Sequence, residues 1–370
     1  MNILFERLQE LSIKDNDSSL VEPLIFDLSI EGDQKKVDEL IEAGKVRNVI
    51  DSYQSQFDEL VLIRNPHALK AEVKENNSKS KVKLYDGKWV YFPWTGKLVH
   101  ILDERDYYEL HTSRNKLLIT QEEQDVFKNS LVGFVGLNVG NSAATCVALE
   151  GGCENMKFAD NDEFSMSNLN RFRASISNIG INKATLTAQQ VYEINPYGNI
   201  DIFDSGLNEE NIEKFLLEPK LDIIVEEMDA LKLKIKIREL AKENKIPVIM
   251  VTGNGSNIII DIERYDIEVD LEILNGHLKP DVMKKIISPA FKKSDLKEFT
   301  QLCKDFVGEE YLVDRLKESF DAIGKSIIGI PQLAECSLLR GAVLTYFIRG
   351  ILNKKDVPSG RYTFNMDQII

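Results

Sequence analysis

The sequence predicts an α/β fold, doubly wound, with a mostly parallel sheet at its centre. Between residues 131 and 261, short apolar segments typical of strands alternate with longer segments of helical character. The first of these strands runs into a glycine-containing turn, and a helix of small residues follows. With the right-handed crossovers that βαβ units adopt, this order predicts a Rossmann-like sheet.

The predicted elements follow one another with little interruption. Strands are expected at residues 131–135, 156–160, 200–203, 221–225, 247–251 and 257–261. Helices are expected at residues 141–150, 183–194, 209–217 and 231–243. Because strands and helices alternate, the carboxyl ends of the parallel strands should meet at one edge of the sheet, where such folds bind ligands.

Two further regions flank this core. Residues 1–110 form a predicted N-terminal α/β module, with a helix near 34–43 and strand-like runs at 60–63 and 88–92. Its aromatic run at 89–94 is interpreted as a buried hairpin rather than a binding surface. Residues 111–265 form the predicted nucleotide-binding domain. Residues 266–370 form a predicted lid and packing segment that ends in an apolar helix at 332–352.

Composition narrows the class of protein. The chain has 370 residues, with 46 basic and 60 acidic side chains, so its formal net charge is −14. An acidic balance argues against non-specific binding to nucleic acid or to an anionic membrane. No apolar run is long enough to span a bilayer, and the charged N-terminus does not resemble a signal peptide. We therefore expect a cytoplasmic protein with no membrane or nucleic-acid partner.

The glycine turn is the first candidate ligand site. Gly136 and Gly140 lie between the first strand and its helix, in a G-x-x-x-G spacing that does not complete the dinucleotide fingerprint G-x-G-x-x-G. Such a turn can direct backbone N–H groups and the helix dipole at a phosphate. It can equally be a tight turn that packs a helix on a sheet, and both interpretations stay open here.

Polar residues cluster after the second strand. Asp160 ends that strand, where a carboxylate can accept the hydroxyls of a ribose, and Asp162 follows. Asn168 and Arg171 come next in one loop, with donors suited to phosphate oxygens. Lys183 opens the next helix and offers a mobile positive charge for a polyphosphate. Together these residues predict a nucleotide site at the carboxyl edge of the sheet.

The stretch from residue 132 to residue 196 resembles the ThiF/MoeB/ubiquitin-activating superfamily of adenylating enzymes. The resemblance rests on the glycine turn, the D-x-D at 160–162, the string S-N-L-N-R at 167–171, Lys183 and the string I-N-P at 194–196, in that order. The aspartate of I-I-V-E-E-M-D, Asp229, falls where the family places a magnesium ligand. The likeness is strongest to a bacterial ThiF subgroup, some members of which are fused to a nitroreductase-like domain.

The resemblance implies ATP- and Mg²⁺-dependent adenylation of a carboxylate, with release of pyrophosphate. Arg171, Lys183 and a magnesium ion on Asp229 would neutralise the developing charge. The substrate would be a small acid or the C-terminus of a peptide or small protein. The resemblance also implies a homodimer, in which Arg114 reaches the triphosphate bound by the partner subunit. Lys116 and Arg173 are the alternatives for this role.

The remaining nucleotide contacts follow from the same resemblance. Asp160 would bind the ribose, and Asn168 would orient the phosphates. The turn of Gly136, Asn138 and Gly140 would lie against the nucleotide, together with Asp162. Asn138 lies in a turn where typical members carry Gly or Leu, and its side chain is expected to donate a hydrogen bond there instead.

Other departures leave alternatives open. The zinc-binding cysteine pairs of many relatives are absent, so no zinc is expected. Cys303 lies where a thioester-forming residue could occur, although adenylation without a catalytic cysteine is preferred. A second hypothesis is an oxidoreductase that binds NAD or FAD on the same sheet. A third is a nucleotide-binding scaffold whose altered glycine turn has lost catalysis.

Overall fold

The computed structural model describes residues 21–67, 83–291 and 295–368. Within these ranges the chain divides into two compact units. The first comprises Met1–Gln124 and Ala188–Gly198, and the second comprises Asp125–Thr187 and Asn199–Ile370. The three-part division expected from the sequence stays a prediction.

The first unit is built on a four-stranded sheet with the order β1-β3-β4-β2. Its elements are β1 (Leu24–Phe26), α1 (Glu31–Glu42), β2 (Asn48–Asp51), α2 (Tyr53–Arg64), β3 (Lys88–Phe92), β4 (Lys97–Ile101) and α3 (Glu104–His111). Strands β3 and β4 form an antiparallel hairpin, while β2 pairs with β4 in parallel. Trp89 and Tyr91 of the hairpin are buried in the core, which agrees with the interpretation of the aromatic run.

One element of the first unit differs from its prediction. Residues 60–63 were expected to form a strand, but they lie in the last turns of helix α2. Leu60 is fully buried, whereas the next three residues are only partly buried. A short apolar run has no periodicity that separates a strand from a helix, and here the longer polar segment before it belongs to the same helix.

The second unit contains a seven-stranded sheet with the order β11-β10-β9-β8-β5-β6-β7. The strands are β5 (Leu131–Val135), β6 (Asn155–Ala159), β7 (Asn199–Phe203), β8 (Ile223–Glu226), β9 (Val248–Asn254), β10 (Asn257–Glu263) and β11 (Gly360–Phe364). The five strands from β5 to β9 pair in parallel, and β10 and β11 continue the sheet in antiparallel fashion. The predicted mostly parallel sheet is confirmed.

Helices precede, alternate with or follow these strands along the chain. They are α4 (Gln121–Asn129), α5 (Leu137–Leu149), α6 (Lys183–Ile194), α7 (Ile212–Leu217), α8 (Leu231–Glu243), α9 (Pro280–Ile287), α10 (Leu296–Val307), α11 (Asp314–Ala322) and α12 (Ala334–Leu352). Helix α5 begins directly after Gly136 rather than near residue 141, so the glycine turn is shorter than expected. Helix α12 packs against α5 and β9.

The strand order places the expected ligand edge in the second unit. Strand β5 lies between β6 and β8. From β6 the chain continues to β7 on one side of β5, and from β8 it continues to β9 on the other side. In open parallel sheets, ligands bind outside the carboxyl ends of the strands at this point of reversal. Gly136 follows β5, Asp160 follows β6 and Glu227 follows β8. No helix within the described ranges is long and apolar enough to cross a membrane.

Candidate functional site

The turn after β5 requires glycine at its first position. Gly136 has a φ of +83°, a conformation that residues with a Cβ atom adopt rarely. A Cβ atom there would lie 2.5 Å from the carbonyl carbon of Glu227, in the segment that follows β8. The N–H of Glu227 in turn donates to the carbonyl of Val135 at 2.7 Å. The turn and the end of β8 are therefore packed backbone against backbone.

Asp160 holds the start of helix α5. Its Oδ2 accepts the N–H of Leu137 at 2.6 Å, and its Oδ1 accepts the N–H of Asp162 at 2.9 Å. Burial raises the pKa of Asp160 above its ordinary value, although these two N–H groups and the charge of Lys183 act in the opposite direction. The carboxylate is thus fixed beside the glycine turn, at the position expected of a ribose acceptor.

Lys183 is directed toward the same edge by Asp162. Its ammonium group donates to Asp162 Oδ2 at 2.8 Å, and its N–H donates to the carbonyl of Asp162 at 2.9 Å. The lysine side chain is only 5 % exposed, whereas the aspartate side chain is 68 % exposed. A buried ammonium with one solvent-facing partner is available to a ligand anion that replaces or joins that partner.

Arg171 is held by the glycine turn and by its own loop. In the amide orientation that satisfies both groups, the oxygen of Asn138 accepts from Arg171 Nε at 3.2 Å and from Nη2 at 3.0 Å. Nη1 donates to the carbonyl of Ser167 at 2.9 Å and to Asn170 Oδ1 at 2.8 Å. Asn138 thus accepts from Arg171 and orients it. The hydrogen bond that Asn138 was expected to donate stays a prediction.

Two predicted site residues have structural duties. Asn168 is buried, and its Oδ1 accepts from the N–H and the hydroxyl of Ser165, both at 3.0 Å. It closes the short 3₁₀ turn that carries the loop toward Arg171. Gly140 has helical geometry inside α5, and a Cβ atom there would approach only the flexible end of Leu137, at 3.1 Å. The close approach to β8 belongs to Gly136 alone of these two glycines.

Two other predicted residues lie on the surface of their units. Asp229 is exposed three residues after the end of β8, and it receives no hydrogen bond from the described parts of the chain. Its charge nevertheless acts on Arg171, whose pKa burial lowers and Asp229 raises. Arg114 is exposed in the turn after α3, within the first unit.

The sequence analysis missed an ion pair beside the glycine turn. The side chain of Glu227 is only 1 % exposed and is ion-paired with Nη2 of Arg340 from helix α12. Burial raises the pKa of Glu227, and Arg340 opposes that shift. The available signals were two successive glutamates at the end of an apolar strand and an arginine inside an apolar helix. Charged residues at such positions are rarely buried without a partner.

A second buried network lies beneath α8. Glu226 accepts from Lys234 at 2.8 Å and from Arg238 at 2.7 Å, and Arg238 also donates to Glu263 at 2.7 Å. Burial alone would raise the pKa of Glu226, but the two cations outweigh it and hold the pKa below its ordinary value. The successive glutamates Glu226 and Glu227 thus anchor two different helices, α8 and α12.

The cysteines and metal ligands add little to this site. Burial raises the pKa of Cys336, and Cys303 packs among apolar side chains of α10 and α11. Across the part of the chain that the structure describes, no group of three or more His, Cys, Asp or Glu residues could hold a metal ion. A cation at this site would therefore need ligands from a bound nucleotide or from water in addition to Asp229.

Relatives of known sequence cover different shares of the chain. The protein MT1398 of Mycobacterium tuberculosis is 33 % identical over 275 residues, which is 74 % of this chain but 37 % of that protein. The chain therefore spans little more than a third of that relative. The tRNA threonylcarbamoyladenosine dehydratase of Bacillus subtilis is 28 % identical over 192 residues, or 51 % of this chain and 72 % of the enzyme.

A solved structure supports the fold. The crystal structure of PaaA matches with a TM-score of 0.50 and 20 % sequence identity, covering 71 % of this chain and 80 % of PaaA. The model of the ThiF family matches residues 112–257. That range contains the glycine turn, Asp160, Arg171, Lys183 and Asp229. The residues of the candidate site in the second unit therefore lie within the range that matches the ThiF family.

Proposed function

We propose that this protein adenylates a carboxylate, using ATP and Mg²⁺ and releasing pyrophosphate. One observation carries the proposal. At the carboxyl edge of the sheet, a glycine turn, an anchored carboxylate and a buried lysine are brought together within one ThiF-family domain. An edge of this kind, at the reversal of strand order, is where a nucleotide binds in such sheets.

The reaction needs charge neutralisation more than acid–base chemistry. A carboxylate oxygen attacks the α-phosphorus of ATP, the bond to the bridging oxygen breaks, and pyrophosphate leaves with its electron pair. The products are an acyl adenylate and pyrophosphate. Arg171 and Lys183 would stabilise the negative charge that builds on the phosphates. Asp160 would accept the ribose hydroxyls, and the turn of Gly136, Asn138 and Gly140 would lie against the nucleotide.

Magnesium fits the donor set at the site. Mg²⁺ is commonly held by one or two carboxylates together with substrate phosphates and waters, rather than by a cage of protein ligands. Asp229 offers an exposed carboxylate near Arg171. When held by Asp229, the ion would offset the negative charge of the phosphates. Asp162 stays with Lys183 and directs the lysine toward the phosphates.

The proposed substrate and the proposed oligomeric state rest on the same resemblance to the ThiF family. We propose a carboxylate on a peptide, a small protein or a metabolite as the substrate, and a homodimer in which Arg114 contributes to the partner's site. The outward side of α12 is apolar: Leu338 and Tyr346 are exposed, and Ala342 and Val343 lie between them. We propose that this face packs against the same face of a second copy of the chain.

Calorimetric titration of ATP with Mg²⁺, and separately of NAD, tests the proposal. Wild type should bind ATP with Mg²⁺, and two variants should each weaken that binding about 10-fold or more. Lys183→Ala removes a positive charge beside the phosphates, and Asp229→Ala removes the proposed magnesium ligand. Lys232→Ala is the matched control, since Lys232 pairs with Glu209 on the exposed side of α8. Binding of NAD without any response to ATP would favour the oxidoreductase and contradict the proposal.

A further inference from the structure

Arg340 is a buried arginine that the family resemblance does not assign. It lies in the first half of helix α12 and is 8 % exposed. Its Nε donates to the carbonyl of Val251 at 2.6 Å, and its Nη2 is ion-paired with Glu227. The guanidinium is therefore fixed in position and orientation. A ligand that binds it causes little further loss of side-chain entropy, because the arginine is already ordered.

This arrangement occurs where strands β8 and β9 separate. Their last paired residues are Val225 and Ile249. Beyond that pair, Glu227 Oε1 accepts the N–H of Val251 at 2.7 Å, and Arg340 donates to the carbonyl of the same residue. Beyond the last strand pair, the backbone of Val251 therefore bonds to the side chains of Glu227 and Arg340, and their ion pair lies where the two strands separate.

The remaining nitrogen of the guanidinium points along β9. A Cβ atom on Gly253 would lie 3.3 Å from Nη1 of Arg340 and 3.2 Å from Sγ of Cys336. Nη1 therefore lies over Gly253, which is two residues nearer the carboxyl end of β9 than Val251. Within the described ranges, Nη1 makes no hydrogen bond, and it is not a fully enclosed atom. Its two N–H groups are left to a ligand.

Arg340 also belongs to the electrostatic surroundings of Arg171. Burial lowers the pKa of Arg171, the charge of Arg340 lowers it further, and Asp229 opposes both. One helical turn before Arg340, the hydroxyl of Ser337 donates to the carbonyl of Arg171 at 3.2 Å. The two arginines are therefore linked through helix α12, and their repulsion favours an anion between them.

We propose that Arg340 is a nucleotide-binding residue, whose Nη1 donates to a phosphate oxygen of ATP. The inference rests on the proposed function, since it requires ATP at this edge of the sheet. Glu227 holds the guanidinium on one side and leaves the opposite nitrogen for the phosphate. A buried guanidinium with donors in a fixed plane is well suited to phosphate oxygens.

Titrations with ATP and with adenosine separate this role from a structural one. Arg340→Lys and Arg340→Gln should weaken ATP binding about 10- to 100-fold, while adenosine binding changes less than about 2-fold, because adenosine has no phosphate. Arg349→Gln removes another arginine of the same helix, the partner of Glu150, and should change neither affinity. Inorganic pyrophosphate as a competitor of ATP should lose strength in parallel with ATP.

The outcomes distinguish the two proposals. If wild type binds no ATP, the proposed function fails. If wild type binds ATP and both Arg340 variants bind it equally well, the present inference is overturned. Equal weakening of ATP and adenosine would also overturn it, since that pattern marks a general loss of structure. Arg340→Lys keeps a positive charge and is the variant chosen to retain the fold.

Discussion

At the scale of single residues, Gly136 and Gly140 are two glycines of one segment for which alanine substitution should affect stability differently. Gly136→Ala should destabilise the second unit by about 2–4 kcal/mol, because a side chain there combines a positive φ with a backbone clash against Glu227. Gly140→Ala should be neutral or stabilising by up to about 1 kcal/mol, since it lies inside a helix near a flexible side chain.

Urea unfolding of the two alanine variants checks this difference. The free energy of unfolding should fall for Gly136→Ala and hold for Gly140→Ala. Equal losses in both variants would mean that the turn demands a small residue throughout, rather than a special backbone angle at its first position. The G-x-x-x-G spacing shows two glycines, and only the backbone geometry reveals which of them is required.

Some site residues were predictable from the sequence because a strand end fixes their place. Asp160 directly follows a buried strand, and Lys183 opens the next helix, so the topology alone brings them to one edge. Arg340 is separated from Glu227 by more than a hundred positions, and no local sequence pattern links helix α12 to the end of strand β8. Asn138 is similar: its bond to Arg171 depends on how one loop folds over another.

At the scale of elements, the buried network beneath α8 decides how firmly that helix is held. Arg238 is fully buried between Glu226 and Glu263, so Arg238→Met should destabilise the second unit by about 3–5 kcal/mol. The loss comes mainly from two buried carboxylates left without their shared partner. Lys232→Met, which breaks an exposed ion pair on the same helix, should cost less than about 1 kcal/mol.

Chemical denaturation of these variants and of a combined one gives the measurement. Adding Glu226→Gln and Glu263→Gln to Arg238→Met should recover part of the lost stability, because it removes the unpaired charges as well. If the triple variant is less stable than Arg238→Met, the carboxylates stabilise the fold through their other partners. Lys234 and the N–H of Leu274 would then be the groups to examine.

At the scale of the whole molecule, most of the fold was predicted from the alternation of strand and helix patterns along the sequence. The parallel strands were predicted because each buried apolar segment is followed by a helix, a pattern that admits few topologies. Strand β11 was not predicted, since it pairs at an edge and has no periodic core face. Helix α12 was predicted as an apolar helix, and its inner face indeed covers α5 and β9.

The outer face of α12 leads to the last prediction, that of a dimer. Leu338 and Tyr346 are 45 % and 62 % exposed, and monomeric proteins seldom leave a continuous apolar stripe of this kind uncovered. Tyr346→Glu should place a charge in the proposed contact and convert a dimer to monomers, as measured by light scattering after size-exclusion chromatography. Tyr85→Glu, at a tyrosine of the first unit that is 52 % exposed, should leave the mass unchanged. A dimer that survives Tyr346→Glu would place the contact on another face of the chain. A wild-type mass equal to one chain would contradict the dimer, and Arg114 would then lose its proposed role in a partner's site.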